Sequence, residues 1–181
     1  MKPTTKEQWE SLHAQDRFRP KYPSERVVQW ASTLPKGAKV LDHGCGAGRH
    51  SRFLTQEGFW VKPYDISLVY SLATDQFPTD TDFDAVLSYG VLYYLPPVER
   101  AQEIIKLHSL LKPGGKGLFI IRSEYYNRTD MGDSDIPQWL MSITEIHKEF
   151  AVFGSYEINV RTQSVKHTTE VEHDWTVEVV K

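Results

Sequence analysis

The sequence predicts an α/β domain in which helices cover both faces of a mostly parallel sheet that ends in an antiparallel strand pair. Three observations support this fold class. The chain of 181 residues is long enough for one compact domain. From residue 39 to residue 121, β-rich segments alternate with helical ones, as is typical of parallel strands joined by right-handed crossovers. The last two β-rich segments, at 156–165 and 175–180, follow each other without a helix between them, which favours antiparallel pairing.

The first four strands are predicted from short apolar or β-rich runs. Phe83–Ser88 has the composition of a central strand, and the unbroken apolar run Leu118–Ile121 is typical of a strand covered on both faces. Pro63 indicates that the second strand has an irregular end, because proline cannot donate a ladder hydrogen bond. By number, the four predicted strands cover residues 39–42, 59–65, 83–88 and 118–121.

Helices are predicted where apolar residues recur every three or four positions. Ser24 is expected to cap a short helix before the first strand. Ser142 and Glu145 form the pattern of a capping box at the start of another helix. Gly58 and the Lys-Pro-Gly-Gly segment at 112–115 are expected to end the two longest helices, which cover residues 49–57 and 98–111.

Composition limits the classes of function. The formal net charge is −3 and charges of both signs are interspersed, so no extended positive surface for nucleic acid is expected. Cys45 is the single cysteine and cannot form an internal disulfide. The sequence has no apolar run of the roughly eighteen residues that a membrane span needs, and its seven histidines lack metal-ligand spacing. We therefore expect one cytoplasmic domain without a metal site or a membrane segment, in an oligomeric state that the sequence leaves open.

A glycine-rich segment between the first strand and the following helix carries the main chemical signal. The glycines at 44, 46 and 48 lack a Cβ atom, so their backbone N–H groups can approach a ligand closely. The segment follows a parallel strand, at the sheet edge where ligands of open α/β folds bind. Arg49 occupies the position where the dinucleotide-binding pattern has its third glycine. The spacing therefore argues against a dinucleotide-binding fingerprint.

Two acidic residues flank this glycine loop. Asp42 stands directly before the glycines and would repel a pyrophosphate, whereas it would not repel a cationic sulfonium or ammonium ligand. A second interpretation of Asp42 is that it only caps the loop amides. Asp65 lies at the end of the next predicted strand, where its carboxylate can accept hydrogen bonds from two ribose hydroxyls. Together these residues favour a positively charged nucleoside as ligand.

Four segments resemble, in order, the motifs of class I S-adenosylmethionine-dependent methyltransferases of the small-molecule type. Val40–His50 resembles their first motif, and Tyr64–Ser67 resembles their acidic ribose-binding motif. Phe83–Leu95 is similar to the fourth strand and the loop under the methionine group, and Leu110–Gly117 is similar to the turn before the fifth strand. Within the small-molecule group, the sequence is similar to the ubiquinone-biosynthesis and tellurite-resistance types. The resemblance implies a Rossmann-like fold, S-adenosylmethionine as cofactor and a small-molecule methyl acceptor.

The resemblance also implies which residues contact the cofactor. An N-terminal helical segment, residues 1–35, would cover the site, and residues 36–181 would form the methyltransferase domain. Arg19 and Tyr22 would approach the methionine carboxylate, and Asp65 would bind the ribose. The implied cofactor-binding residues are Arg19, Tyr22, Asp42, Gly44, Cys45, Gly46, Gly48, Asp65, Ile66, Asp75, Gln76, Ser88 and Tyr89.

The region between the second and fourth strands of the family fold is shortened in this chain. Nineteen positions separate Asp65 from Asp84, where the family usually has a helix, a strand and a loop. Residues 72–78 are therefore expected to stand in for the third strand and its adenine-contacting end, with Asp75 and Gln76 in that role. The adenine pocket is expected to be more open than usual.

The acceptor side of the site is less well defined. The sulfonium methyl group is already activated, so the protein has mainly to position donor and acceptor. A hydroxyl acceptor calls for a general base, whereas an amine or thiolate can react through its own lone pair. The candidate catalytic residues are Tyr93, Tyr94 and Tyr126, with Glu124 and Tyr125 beside them.

Two other functions fit parts of the sequence. A catalytically silent S-adenosylmethionine-binding protein is favoured by the shortened region after the second strand. A nicotinamide-dependent oxidoreductase is opposed by Asp42 and by Arg49 in place of a third glycine. The histidines beside the loop, His43 and His50, are expected to be structural, and the scattered tryptophans, Trp9 among them, are expected only to pack.

Overall fold

A computed structural model describes residues 5–128, 136–164 and 169–181 of the chain. Its strands are β1 Lys39–His43, β2 Trp60–Tyr64, β3 Phe83–Tyr89, β4 Leu111–Arg122, β5 Ser155–Ser164 and β6 Val171–Val180. They form one sheet in the order β2-β1-β3-β4-β6-β5. Strands β1 to β4 are parallel, and β6 pairs antiparallel with both β4 and β5. The predicted mostly parallel sheet with an antiparallel C-terminal pair is confirmed.

Helices cover both faces of this sheet. They are α1 Lys6–His13, α2 Glu25–Ala31, α3 Arg49–Gln56, α4 Pro97–Leu110 and α5 Ile143–Phe150, with 3₁₀ turns at Asp16–Phe18 and Leu92–Tyr94. Val27 of α2 and Leu54 of α3 are buried with Leu118 of β4. On the other face, Ile104 of α4 is buried with Phe119 of β4, because successive side chains of a strand point to opposite sides. In the described ranges, no helix combines the length and apolar character needed to cross a bilayer.

The parallel strands bring three loops to the same edge of the sheet. In the register of β1 with its neighbours, His43 is opposite Tyr64 of β2 and Ser88 of β3. The residues that follow these three positions therefore meet at the carboxyl edge, where ligands of open α/β sheets bind.

The predicted helix stop at 112–115 lies inside a strand. Strand β4 starts at Leu111, directly after α4, and its pairing with β3 contains a register shift in this region. The N–H group of Gly114 donates to the carbonyl of Lys181 at 2.7 Å. The four residues thus form a bulge that is fastened to the last strand, a long-range contact that the local turn signal did not reveal.

The expected stand-in for a third strand is reduced to a single bridge. In the described chain, residues 72–78 contribute one parallel bridge, between Thr74 and Tyr64, and no strand. Leu72 is 70% exposed. The N–H of Thr74 donates to the carbonyl of Pro63 at 3.2 Å, and its carbonyl accepts the N–H of Asp65 at 3.1 Å. The short connection leaves too few residues to extend this pairing into a longer strand.

The two helix caps have different outcomes. Ser24 stands at the N-cap position of α2, but its side chain makes no capping hydrogen bond, so that part of the prediction is wrong. Its backbone N–H instead donates to Nε2 of His50 at 3.3 Å, which joins α2 to α3. Ser142 and Glu145 form both bonds of the capping box at α5, as predicted.

Candidate functional site

The loop between β1 and α3 is shaped by three glycines. Gly44, Gly46 and Gly48 have φ values of +69°, +53° and +77°, a left-handed conformation that favours glycine. A Cβ atom on Gly44 would lie 2.1 Å from Cγ2 of Val91, and one on Gly48 would lie 2.5 Å from Cγ of Tyr70. These positions therefore require glycine for close packing as well as for backbone conformation.

Asp65 follows β2 and turns its carboxylate towards the glycine loop. Its Oδ2 atom accepts the N–H of Gly46 at 2.7 Å. Its Oδ1 atom accepts the backbone N–H and the hydroxyl of Ser67, at 2.7 and 2.8 Å. The residue is buried, and these bonds hold it in place. The structure thus brings together the loop and the carboxylate that the sequence singled out.

A cavity of about 150 Å³ opens beside the loop. Gly44, Asp65 and Ile66 contribute to its lining, as do Gly90 and Tyr94 from the segment after β3. Small-molecule sites typically measure roughly 300–1,000 Å³, so this cavity is narrow. Part of the space over the loop is taken by side chains of α1.

Helix α1 supplies two site residues that sequence reasoning missed. Trp9 and His13 line the cavity, and the ring of Trp9 meets the ring of Tyr94 edge-on with 4.7 Å between centroids. Trp9, expected only to pack, therefore borders the site. A local signal was present, because a capping box at Thr5 and Gln8 starts the helix and a spacing of four places Trp9 and His13 on one face.

His13 is linked to Asp65 through Ser67. The Nδ1 atom of His13 lies 2.6 Å from Oγ of Ser67, whose hydroxyl donates to Asp65. Since Ser67 has one hydroxyl hydrogen, we assign the donor in the first bond to His13. Burial lowers the pKa of His13, the charge of Asp65 opposes the shift, and Arg19 reinforces it. A neutral imidazole therefore ends a hydrogen-bonded chain that starts at the carboxylate.

Several predicted cofactor residues lie outside the cavity lining. Asp42 is buried, its Oδ2 atom accepts the hydroxyl of Ser51 at 2.6 Å, and burial raises its pKa to about 6. Oγ of Ser88 lies 3.0 Å from Nδ1 of His43, and both residues are buried. Burial also raises the pKa of the Cys45 thiol. Asp42 therefore bonds to the start of α3, and its side chain does not border the cavity.

Four more of the implied residues also stay away from the cavity lining. Tyr22 is 81% exposed, and Nε of Arg19 donates to the carbonyl of His13 at 2.8 Å. Asp75 forms an ion pair with a lysine of α1 at 2.7 Å, and Gln76 is exposed. The structure does not bring these side chains to the glycine loop, and their contacts with a cofactor stay predictions.

A second cavity, of about 250 Å³, shares Gly90 with the first. Tyr89, Tyr93 and Tyr126 contribute to its lining. The guanidinium of Arg122 packs on two of these rings, 4.8 Å from the centroid of Tyr93 and 4.1 Å from that of Tyr126. Tyr89, which the resemblance assigned to the cofactor, therefore borders the second cavity and not the first.

The candidate catalytic tyrosines are divided between the two cavities. Tyr94 lines the first, although its ring centroid lies only 4.4 Å from that of Tyr93. Tyr125 is 63% exposed and packs on the ring of His173. Glu124 is exposed as well, and neither of these last two lines either cavity.

Comparison with known proteins identifies the family. A sequence model of the methyltransferase domain matches residues 15–155. The chain belongs to the methyltransferase family. This methyltransferase is 25% identical, over 178 residues, to the 2-methyl-6-phytyl-1,4-hydroquinone methyltransferase of Synechocystis sp.. The matched region covers 83% of this chain and 54% of that relative. The chain thus spans about half the length of the curated relative that it matches.

Solved methyltransferase structures share the fold. The N-methyltransferase NodS of Bradyrhizobium japonicum, in complex with S-adenosylhomocysteine, has a TM-score of 0.73 and 17% identity, with 97% of each chain covered. The magnesium protoporphyrin IX methyltransferase of Synechocystis, with bound S-adenosylmethionine, has a TM-score of 0.64 and 20% identity, with 92% of this chain and 90% of that chain covered. The Rossmann-like architecture expected for this methyltransferase is therefore confirmed.

Proposed function

We propose that this methyltransferase transfers a methyl group from S-adenosylmethionine to a small-molecule acceptor. One observation carries the proposal. Asp65 accepts the N–H of Gly46 at 2.7 Å beside a tightly packed glycine loop, and both elements border a cavity with a largely apolar lining. Such a site suits a nucleoside whose ribose hydroxyls donate to a carboxylate and whose base packs on apolar side chains.

The residues present fit this cofactor in charge and in shape. Asp65 offers a buried carboxylate to the ribose, and Ile66 on the cavity lining offers an apolar surface to the base. Gly44 borders the cavity and adds no side chain to it, so its backbone can approach the methionine group. Asp42, with a pKa of about 6, is largely ionised at neutral pH and favours a cationic ligand above the loop.

The wider set of cofactor contacts is part of the proposal. Arg19 donates a hydrogen bond to the carbonyl of His13, and Asp75 forms an ion pair with a lysine of α1, so both contacts depend on where this helix lies. Tyr22 lies three positions after Arg19, and Gln76 directly follows Asp75. We infer that adjustment of α1 and of the connection after β2 brings these four side chains to the bound cofactor.

When bound, the cofactor supplies a methyl group already activated on a positively charged sulfur, ready for in-line displacement. The chain itself has to bind, orient and shield the reactants. Trp9 and Tyr94 cover the cavity and exclude water. Gly90 borders both cavities and places no side chain between donor and acceptor. Tyr93 and Tyr126 orient the acceptor, and a phenol hydroxyl there can relay to water a proton that the acceptor releases.

Composition supports the proposed acceptor class and location. A net charge of −3 with interspersed signs favours a small molecule over nucleic acid. The single cysteine, Cys45, is buried and forms no internal disulfide, which is consistent with the proposed cytoplasmic location.

A catalytically silent S-adenosylmethionine-binding protein is the second candidate. Two observations favour it. The first cavity, at about 150 Å³, is narrow, and the connection after β2 contributes one bridge where the family usually has a strand.

Titration calorimetry with S-adenosylhomocysteine tests the cofactor site. Asp65→Asn is expected to weaken binding by about tenfold or more, because the ribose loses a charged hydrogen-bond acceptor. Asp80→Asn is the matched control, since this carboxylate is 45% exposed and pairs with Lys39 and Lys62. An equal loss in both variants, or no binding by the wild type, would contradict the proposal.

Turnover then separates the two candidates. The wild type is incubated with labelled S-adenosylmethionine and a panel of small alcohols, phenols, amines, thiols and acids. Transfer of label to any of them supports the enzyme. Tight cofactor binding without transfer to any class favours the silent binding protein.

A further inference from the structure

The second cavity contains four arginines. Arg26, Arg49, Arg122 and Arg161 line it, from α2, α3, β4 and β5 in turn. We refer to it below as the arginine cavity. It shares Gly90 with the cavity proposed for the cofactor, so the two cavities adjoin.

Positive charge exceeds negative charge in the arginine cavity. Four guanidinium groups and two carboxylates, Glu172 and Asp174, line it, so the formal excess is two positive charges. Asp174 already pairs with Arg26 at 3.1 Å, and Glu172 pairs with Arg128, which is not part of the lining. Burial raises the pKa of Asp174, and the hydrogen bond from Arg26 opposes that shift. A bound anion would offset the excess.

Two of the arginines have no carboxylate partner. In the part of the chain that the structure describes, no carboxylate oxygen lies within 4.0 Å of the guanidinium of Arg49 or Arg161. Arg49 lies over the ring of Tyr89, 4.9 Å from the centroid, and Arg161 donates to Gln163 at 2.6 Å. When the face of a guanidinium packs on an aromatic ring, the N–H groups in the guanidinium plane remain able to donate hydrogen bonds to an oxyanion.

Arg26 carries a buried donor that lacks a partner. Its Nη1 atom donates to Thr176 at 3.0 Å and its Nη2 atom to Asp174 at 3.1 Å. Its Nε atom is buried and has no hydrogen-bond partner among the described residues. Buried N–H groups are seldom left unpaired in folded proteins.

Flat side chains accompany these charges. Arg122 packs on the rings of Tyr93 and Tyr126, at 4.8 and 4.1 Å from their centroids. Together with Tyr89 they give the cavity aromatic surface as well as positive charge. Aromatic rings and guanidinium planes favour a planar molecule, and the in-plane N–H groups of arginine match the two oxygens of a carboxylate.

Resting on the methyl transfer proposed above, we propose that the arginine cavity holds the methyl acceptor and that this acceptor is a small organic acid anchored by its carboxylate. The carboxylate accepts hydrogen bonds from the guanidinium groups, and the rest of the molecule extends towards Gly90. A lone pair of its nucleophilic atom forms the bond to the methyl carbon while the carbon–sulfur bond breaks and sulfur keeps that electron pair. A proton on the nucleophile leaves to water, either directly or through the Tyr93 hydroxyl, which takes it up as it passes its own proton on to water.

Benzoate and benzamide are suitable probes, because they match in size and differ in negative charge. The protein is first saturated with S-adenosylhomocysteine, and each probe is titrated by calorimetry. Benzoate is expected to bind about tenfold or more tightly than benzamide. Equal affinities, or no saturable binding of benzoate, overturn the inference.

Charge-removing variants locate the bound probe. Arg49→Gln and Arg122→Gln are each expected to weaken benzoate binding by about tenfold, since each removes a charged hydrogen-bond donor. Lys148→Gln removes the same charge from an exposed position on α5 and is expected to leave benzoate binding unchanged. Arg49→Lys keeps the charge but loses the planar fork, and is expected to give an intermediate loss. Thermal melting verifies that each variant folds.

The same titrations separate this inference from the proposed function. Affinity for S-adenosylhomocysteine is expected to stay within about twofold of the wild type in the arginine variants. If it falls as much as benzoate affinity, the arginine cavity serves the cofactor and the inference is wrong. If the wild type itself does not bind S-adenosylhomocysteine, the proposed function is wrong.

Discussion

The Nδ1 atom of His13 lies 2.6 Å from Oγ of Ser67, and this contact fastens helix α1 to the carboxylate at the end of β2. Leu12 is the one buried residue of the helix. The hydrogen bond from His13 and the ring contact between Trp9 and Tyr94 therefore carry much of the docking of α1. The protonation state of His13 therefore affects how firmly α1 covers the first cavity.

The docking of α1 is expected to weaken in acid. Burial lowers the pKa of His13 from its ordinary value of about 6.5. Below that pH, the His13 imidazole takes up a proton when α1 is undocked but not when α1 is docked. Docking is therefore most stable above about pH 6.5 and becomes less stable as the pH falls. Amide hydrogen exchange, corrected for intrinsic rates, is expected to show lower protection of residues 6–13 at about pH 5.5 than at about pH 7.5.

Three variants isolate the contribution of His13. His13→Gln cannot titrate, and its protection is expected to be insensitive to pH over this range. Ser67→Ala removes the partner and is expected to lower protection at both pH values. Ser11→Ala is the control, because it is an exposed position of the same helix. A pH response in His13→Gln as large as that of the wild type would show that another group controls docking.

Gly48→Ala is expected to destabilise the protein more than Gly58→Ala. Both residues have positive φ, +77° and +89°, so an alanine at either position costs about 1–2 kcal/mol of backbone strain. A Cβ atom at Gly48 would also lie 2.5 Å from the ring of Tyr70, whereas one at Gly58 would meet nothing within 4 Å. Overpacking typically adds about 1–3 kcal/mol. Urea denaturation measures the difference, and equal losses in the two variants would indicate that Tyr70 moves aside freely.

Arg100→Met is expected to lower the free energy of unfolding by about 3–5 kcal/mol. The Arg100 side chain is fully buried and donates to Glu149 at 2.8 and 2.9 Å. Without it, the carboxylate of Glu149, which is 8% exposed, would stay buried without its cation. Lys106→Met is the control, since that lysine is 58% exposed and its pair with Glu103 is worth about 1 kcal/mol or less. Chemical denaturation that showed similar losses for both variants would mean that water reaches Glu149.

Local residue patterns were sufficient for much of the fold and for the centre of the site. The capping box of Ser142 and Glu145 and the left-handed glycines of the loop involve residues only a few positions apart. Asp65 could be placed beside the loop because parallel strands end at the same edge of a sheet. The bulge at 112–115 escaped prediction because its partner, the carbonyl of Lys181, lies at the far end of the chain.

The sequence by itself determined the alternation of strands and helices, the glycine loop and the carboxylate beside it, because period, capping and backbone conformation are local properties. Only the tertiary structure decided what surrounds them. His13 meets Ser67 across 54 positions, and Arg26 meets Asp174 across 148. Contacts of this kind depend on how distant segments pack, which no local pattern encodes. The cover of the first cavity and the charge of the second are therefore properties of the folded chain.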